Sequence, residues 1–72
     1  MLRIDYYGTN GQFEESQTLQ AGINDYINTY RLVAKDAGTP IKVIGPSRQH
    51  MCWLAFIEAC DGSYVKITER AV

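Results

Sequence analysis

Met51-Cys52-Trp53-Leu54-Ala55-Phe56-Ile57-Glu58 runs through Ala59-Cys60-Asp61-Gly62-Ser63 into Tyr64-Val65-Lys66-Ile67-Thr68. The first block is apolar on both parities, which predicts a central strand with both faces at least partly covered. Asp61-Gly62 is a hairpin signal, because both central residues of a type I′ turn take positive φ. With those two as the loop, Glu58 faces Val65, Ile57 faces Lys66, Phe56 faces Ile67 and Ala59 faces Tyr64. Side chains alternate along a strand, so one face collects Leu54, Phe56, Val65 and Ile67. The other collects Trp53, Ala55, Ile57, Tyr64, Lys66 and Thr68.

Upstream, Ile41-Lys42-Val43-Ile44 reads as a short strand, and the polar, partly basic Gly45-Pro46-Ser47-Arg48-Gln49-His50 as the loop after it. Loops of this kind often carry function, which makes Arg48 a candidate contact residue. Before them, Leu19, Ile23, Tyr26, Ile27, Tyr30, Val33, Ala34 and Ala37 fall within an arc of about 120° at helical spacing. That pattern predicts a helix over 19–37, with Thr18 as N-cap and Gly38 as the left-handed C′ residue. Pro40 prevents continuation, Gly22 weakens the first turns, and Leu32 lies opposite the apolar stripe.

At the N-terminal end, Leu2, Ile4 and Tyr6 alternate with Arg3, Asp5 and Tyr7, the signature of a strand. Asn10-Gly11 is a second hairpin signal. A two-residue loop there sets Tyr7 opposite Glu14 and places Phe13 on the face of Leu2, Ile4 and Tyr6. The order is therefore ββαβββ in one α+β domain over 1–72: an antiparallel sheet of about five strands with one helix packed on one face.

A single helix leaves the second sheet face uncovered. That face is expected to carry Arg3, Asp5 and Tyr7 from the first hairpin, and Trp53, Ile57, Tyr64 and Lys66 from the last. Trp, Tyr and Arg are the residue types enriched at the energetic centres of interfaces. Arg3, Tyr7, Trp53, Ile57, Tyr64 and Lys66, with Arg48, are thus the candidate partner-binding residues.

Seven Lys and Arg stand against eight Asp and Glu, for a net charge of −1. Residues 1–36 carry −2 and residues 37–72 carry +1. A duplex-DNA binder needs a basic excess to neutralise phosphates, and an imitator of DNA needs an acidic one. The balance favours a protein partner. Cys52 and Cys60 are too few for a disulfide scaffold and read as reduced thiols. On a straight strand they would stand about 26 Å apart at ~3.3 Å per residue. The adjacent His50, Met51 and Cys52 point to alternate faces, so no metal site is expected. His50 is the only histidine and finds no evident nucleophile, and Gly8-Thr9-Asn10-Gly11 is a turn, not a phosphate loop. Neither catalysis nor a cofactor is expected. No apolar run of membrane-spanning length and no signal-peptide pattern is present, so the expected location is the cytoplasm, away from any membrane.

Trp53-Leu54-Ala55-Phe56, the acidic-glycine turn and Tyr64-Val65-Lys66 are similar to the closing hairpin of an anti-CRISPR protein. Such proteins are small inhibitors of type I systems encoded by phages and mobile elements. The likeness covers under half of the chain, and no functional residue carries over. It implies a non-enzymatic protein that docks on a CRISPR surveillance complex in the host bacterial cytoplasm and blocks DNA binding or nuclease recruitment. Two alternatives use the same open face: single-stranded nucleic acid stacked on its aromatic rings, and a homodimeric structural module.

Overall fold

The structure is a computed structural model that describes residues 1–70. Those residues form strands β1 (Leu2–Tyr7) and β2 (Phe13–Leu19), helix α1 (Ile23–Ala37), and strands β3 (Ile41–Gln49), β4 (Cys52–Ala59) and β5 (Tyr64–Arg70). The sheet order is β2-β1-β5-β4-β3, with every neighbouring pair antiparallel. This is the expected α+β plan, with the helix packed on the sheet.

The topology fixes the position of the helix. It connects β2 at one edge with β3 at the other, so the connection must traverse the whole sheet. Fifteen helical residues span about 22 Å at 1.5 Å each. Four interstrand gaps span about 19 Å. The lengths match, and a face-crossing helix results. Beneath it, Leu2, Ile4, Ala55, Ile57, Val65 and Ile67 meet Ile23 and Ile27 in the core. Burying each large aliphatic side chain contributes roughly 1.5–3 kcal/mol.

The helix begins four residues later than the periodicity suggests. Thr18 is not its cap: Thr18 and Leu19 extend β2, opposite Arg3 and Leu2. Gly22 takes the N-cap position in an extended conformation. Ladder pairing through Leu19 therefore overrides the helical pattern there. The C-terminal end is as expected. Gly38 adopts the left-handed conformation and donates its N–H to the Lys35 carbonyl, while Thr39 donates to that of Ala34. Val33, assigned by periodicity to the buried stripe, is 63% exposed. Leu32 is exposed, as its position opposite the stripe requires.

Both glycine hairpins have the same loop, and it is one residue longer than the two-residue form. Gly8 donates to the Gln12 carbonyl and Gly11 to that of Gly8; Ala59 donates to the Ser63 carbonyl and Gly62 to that of Ala59. Each loop is thus three residues ending in a positive-φ glycine, with φ 78° at Gly11 and 94° at Gly62. In the first hairpin the longer loop sets Tyr7 opposite Phe13, and a bulge before Tyr6 brings Tyr6 opposite Glu15. Phe13 therefore lies on the face of Tyr7, not that of Leu2, Ile4 and Tyr6. In the last hairpin nothing restores the count. Glu58 pairs with Tyr64, Ile57 with Val65 and Ala55 with Ile67. A one-residue slip exchanges the faces of a strand, and β4 is turned over relative to the two-residue reading.

The segment 45–50 is also not a loop. β3 continues to Gln49 across a bulge at Gly45-Pro46, and the turn into β4 is His50-Met51. The bulge needs glycine: Gly45 has φ 88°, and a Cβ there would stand 2.7 Å from the Leu54 carbonyl oxygen.

Candidate binding face

The observed registers define the uncovered face row by row. One row crosses the sheet as Phe13, Tyr7, Tyr64, Glu58 and Lys42. The next is Ser16, Asp5, Lys66, Phe56 and Ile44, and the third is Thr18, Arg3, Thr68, Leu54 and Ser47. Of the sequence candidates, Arg3, Tyr7, Tyr64 and Lys66 are brought together here.

Trp53 and Ile57 are not. The shifted β4 register turns both toward the helix side. Ile57 is 2% exposed and belongs to the core. Trp53 stands opposite Glu69 and Arg48, near the end of the sheet, where it remains 36% exposed. Arg48, expected in a loop, is a β3 residue on that same side. The large apolar β4 residues on the open face are instead Leu54 and Phe56, both half-buried. Phe13 and Ile44 flank them as exposed apolar residues. Reading Cys60-Asp61-Gly62 as the loop would have found Leu54 and Phe56 in the sequence.

Four rings form a continuous aromatic row across β2, β1, β5 and β4. Tyr7 and Tyr64 stack at 4.6 Å between centroids with 9° between planes. Phe13 meets Tyr7 at 5.7 Å and 71°, and Phe56 meets Tyr64 at 6.3 Å and 57°. The ring separation of the central pair is the interstrand spacing itself. The rings thus stand side by side and present their edges, rather than their planes, to solvent. Each central tyrosine is flanked by another ring on both sides.

Asp5 anchors the polar part of the face. It is 6% exposed, although its strand face has no helix over it. The Arg3 Nε donates to its Oδ1 at 3.0 Å, the Ser16 hydroxyl donates to the same oxygen, and Lys66 lies opposite on β5. Burial by itself pushes the carboxyl up. The Ser16 and Arg3 hydrogen bonds and the Arg3 and Lys66 charges outweigh it, holding Asp5 below the ordinary carboxylate value. At the β4–β5 turn, the Ser63 hydroxyl and amide both donate to Asp61 Oδ1, which lowers that exposed carboxyl too. On the helix side, burial pushes the Tyr26 hydroxyl up, and the neighbouring Tyr6 and Tyr30 add to the shift.

Cys52 is half-buried on the open side and Cys60 is exposed in the turn; both are free thiols. Among the described residues, no group of three His, Cys, Asp or Glu could hold a metal ion, and no helix is long and apolar enough to cross a membrane. An apolar groove of about 340 Å³ runs beneath the end of α1, lined by Tyr26, Tyr30, Val33, Ala34, Ile41 and Ala59. Comparison with known proteins finds no matching family model, curated protein or solved structure.

Proposed function

We propose that this chain is a non-enzymatic protein-binding module that docks through its uncovered sheet face. The observation that carries this reading is the aromatic row Phe13–Tyr7–Tyr64–Phe56, bordered by Leu54 and Ile44 and by the cations Arg3, Lys42 and Lys66. Apolar rings with a charged rim form the usual anatomy of a protein contact. The ring geometry favours this over single-stranded nucleic acid. Bases stack on ring planes, and the central rings spend theirs on one another. In its specific form, which rests on the hairpin resemblance, the module is an inhibitor that occludes a surface of a bacterial CRISPR surveillance complex.

Phe13→Asp/Ile44→Asp tests the reading, since both residues are exposed and lie at opposite ends of the face. Tagged wild type should retain a discrete protein complex from nuclease-treated bacterial lysate, and the double variant should lose it. Purified type I surveillance complex should lose target-DNA binding or nuclease recruitment in the presence of wild type only. Recovery of nucleic acid alone from untreated lysate, released at moderate salt, would overturn the proposal in favour of stacking.

A further inference from the structure

We propose that β2 is a dimerisation edge, along which a second copy of this chain pairs antiparallel so that two five-stranded sheets join into one of ten. The inference concerns the sheet edge and stands independently of the docking face. The two edges of the sheet differ. At β3, the bulge at Gly45-Pro46 breaks the run of backbone groups, and Pro46 has no N–H to offer. At β2, residues Glu15 to Leu19 continue without interruption opposite β1, and every residue of the strand is exposed. An open edge of this kind is a template for another strand.

The β2 sequence is complementary to itself in one register. A two-fold axis normal to the sheet requires paired residues to share a face. With Ser16 on the axis, Glu15 lies opposite Gln17 of the second copy and Ser16 opposite Ser16, while Glu14 falls at the β1–β2 bulge, outside the regular pairing. No two carboxylates meet. Moving the axis to Glu15 would set Glu15 against its own copy, and moving it to Gln17 would set Glu15 against Leu19, away from the Gln17 amide. The Gln17 side chain is already oriented for this register. The Tyr6 hydroxyl donates to Gln17 Oε1 at 3.3 Å, while the Gln17 amide nitrogen donates to no described residue. That nitrogen is the donor a facing carboxylate needs. The same axis puts both open faces on one side of the joined sheet, with a Phe13 from each copy beside the seam.

Edge pairing adds backbone hydrogen bonds but little apolar burial, so the dimer is a weak one that forms with concentration. Analytical ultracentrifugation of the isolated chain tests it, with circular dichroism to confirm folding of each variant. Wild type should move from 8.1 kDa toward twice that mass between micromolar and millimolar concentration. Gln17→Glu places two like-charge pairs across the seam and should weaken association about tenfold or more. Glu15→Lys/Gln17→Glu should restore it, since it turns each repulsive pair into an attractive one. Both variants keep an Oε1 acceptor for the Tyr6 hydroxyl, so their difference reports the seam alone. A wild type that stays monomeric to ~1 mM, or a dimer indifferent to both variants, would overturn the proposal.

Discussion

Tyr7 on β1 and Tyr64 on β5 lie directly opposite one another, and their rings are stacked at the spacing of the strands that carry them. The pair joins the first hairpin to the last. Its direct contribution should be measurable by a double-mutant cycle of Tyr7→Ala and Tyr64→Ala in urea unfolding. The coupling expected for stacked aromatic side chains is about 0.5–1.5 kcal/mol. Strictly additive single effects would mean that the rings do not interact.

Asp5 gives the fold a defined response to acid. Its carboxyl titrates lower in the fold than in the unfolded chain, so the fold favours the ionised form. The resulting stability is fully present above the ordinary Asp value near ~3.9 and is lost as pH falls through the folded value. Asp5→Asn should therefore cost more at pH 7 than at pH 2.5, with the difference between variant and wild type closing as the wild-type carboxyl protonates. Urea midpoints at the two pH values read this directly, and an equal cost at both would contradict it.

The β4–β5 register can be checked by substitution. Ile57 lies in the core beneath the helix, whereas Leu54 lies on the open side. Ile57→Ala should destabilise by roughly 2–5 kcal/mol, and Leu54→Ala by distinctly less. The two-residue loop register would exchange those faces and reverse the order.

Gly45→Ala should be the most damaging of the glycine substitutions. The added Cβ meets the Leu54 carbonyl oxygen at 2.7 Å, in a conformation that is already left-handed. At Gly11 the same substitution meets nothing within 4 Å and costs only the backbone strain, about 1 kcal/mol. Thermal unfolding of the two variants should separate them clearly.

The element order was legible in the sequence because each element has an unambiguous period or apolar run, as in Leu2-Arg3-Ile4-Asp5-Tyr6 and the stripe from Ile23 to Ala34. The faces were less legible. Asp61-Gly62 is compatible with loops of two or three residues, and the choice is made by backbone hydrogen bonds at Ala59 and Ser63 that no side-chain pattern records. Because β4 is apolar on both parities, alternation cannot decide which of Trp53 and Leu54 faces the helix. The first hairpin carried the same ambiguity, but the bulge opposite Tyr6 cancelled it before Ile4 and Leu2 were reached. Arg3, Tyr7, Tyr64 and Lys66 keep the open face in either reading.

The central seam of the sheet joins β1 to β5, with Leu2 opposite Glu69 and Ile4 opposite Ile67. During synthesis the first hairpin must therefore wait for the last. Until the ribosome has released Ile67, Ile4 has no cross-strand apolar neighbour on that side, and β1 offers a second open edge beside β2. Contacts this distant in sequence carry the largest loop-closure entropy and slow folding. The nascent chain is accordingly most exposed to misassociation through its N-terminal hairpin, in the interval before its final strand emerges.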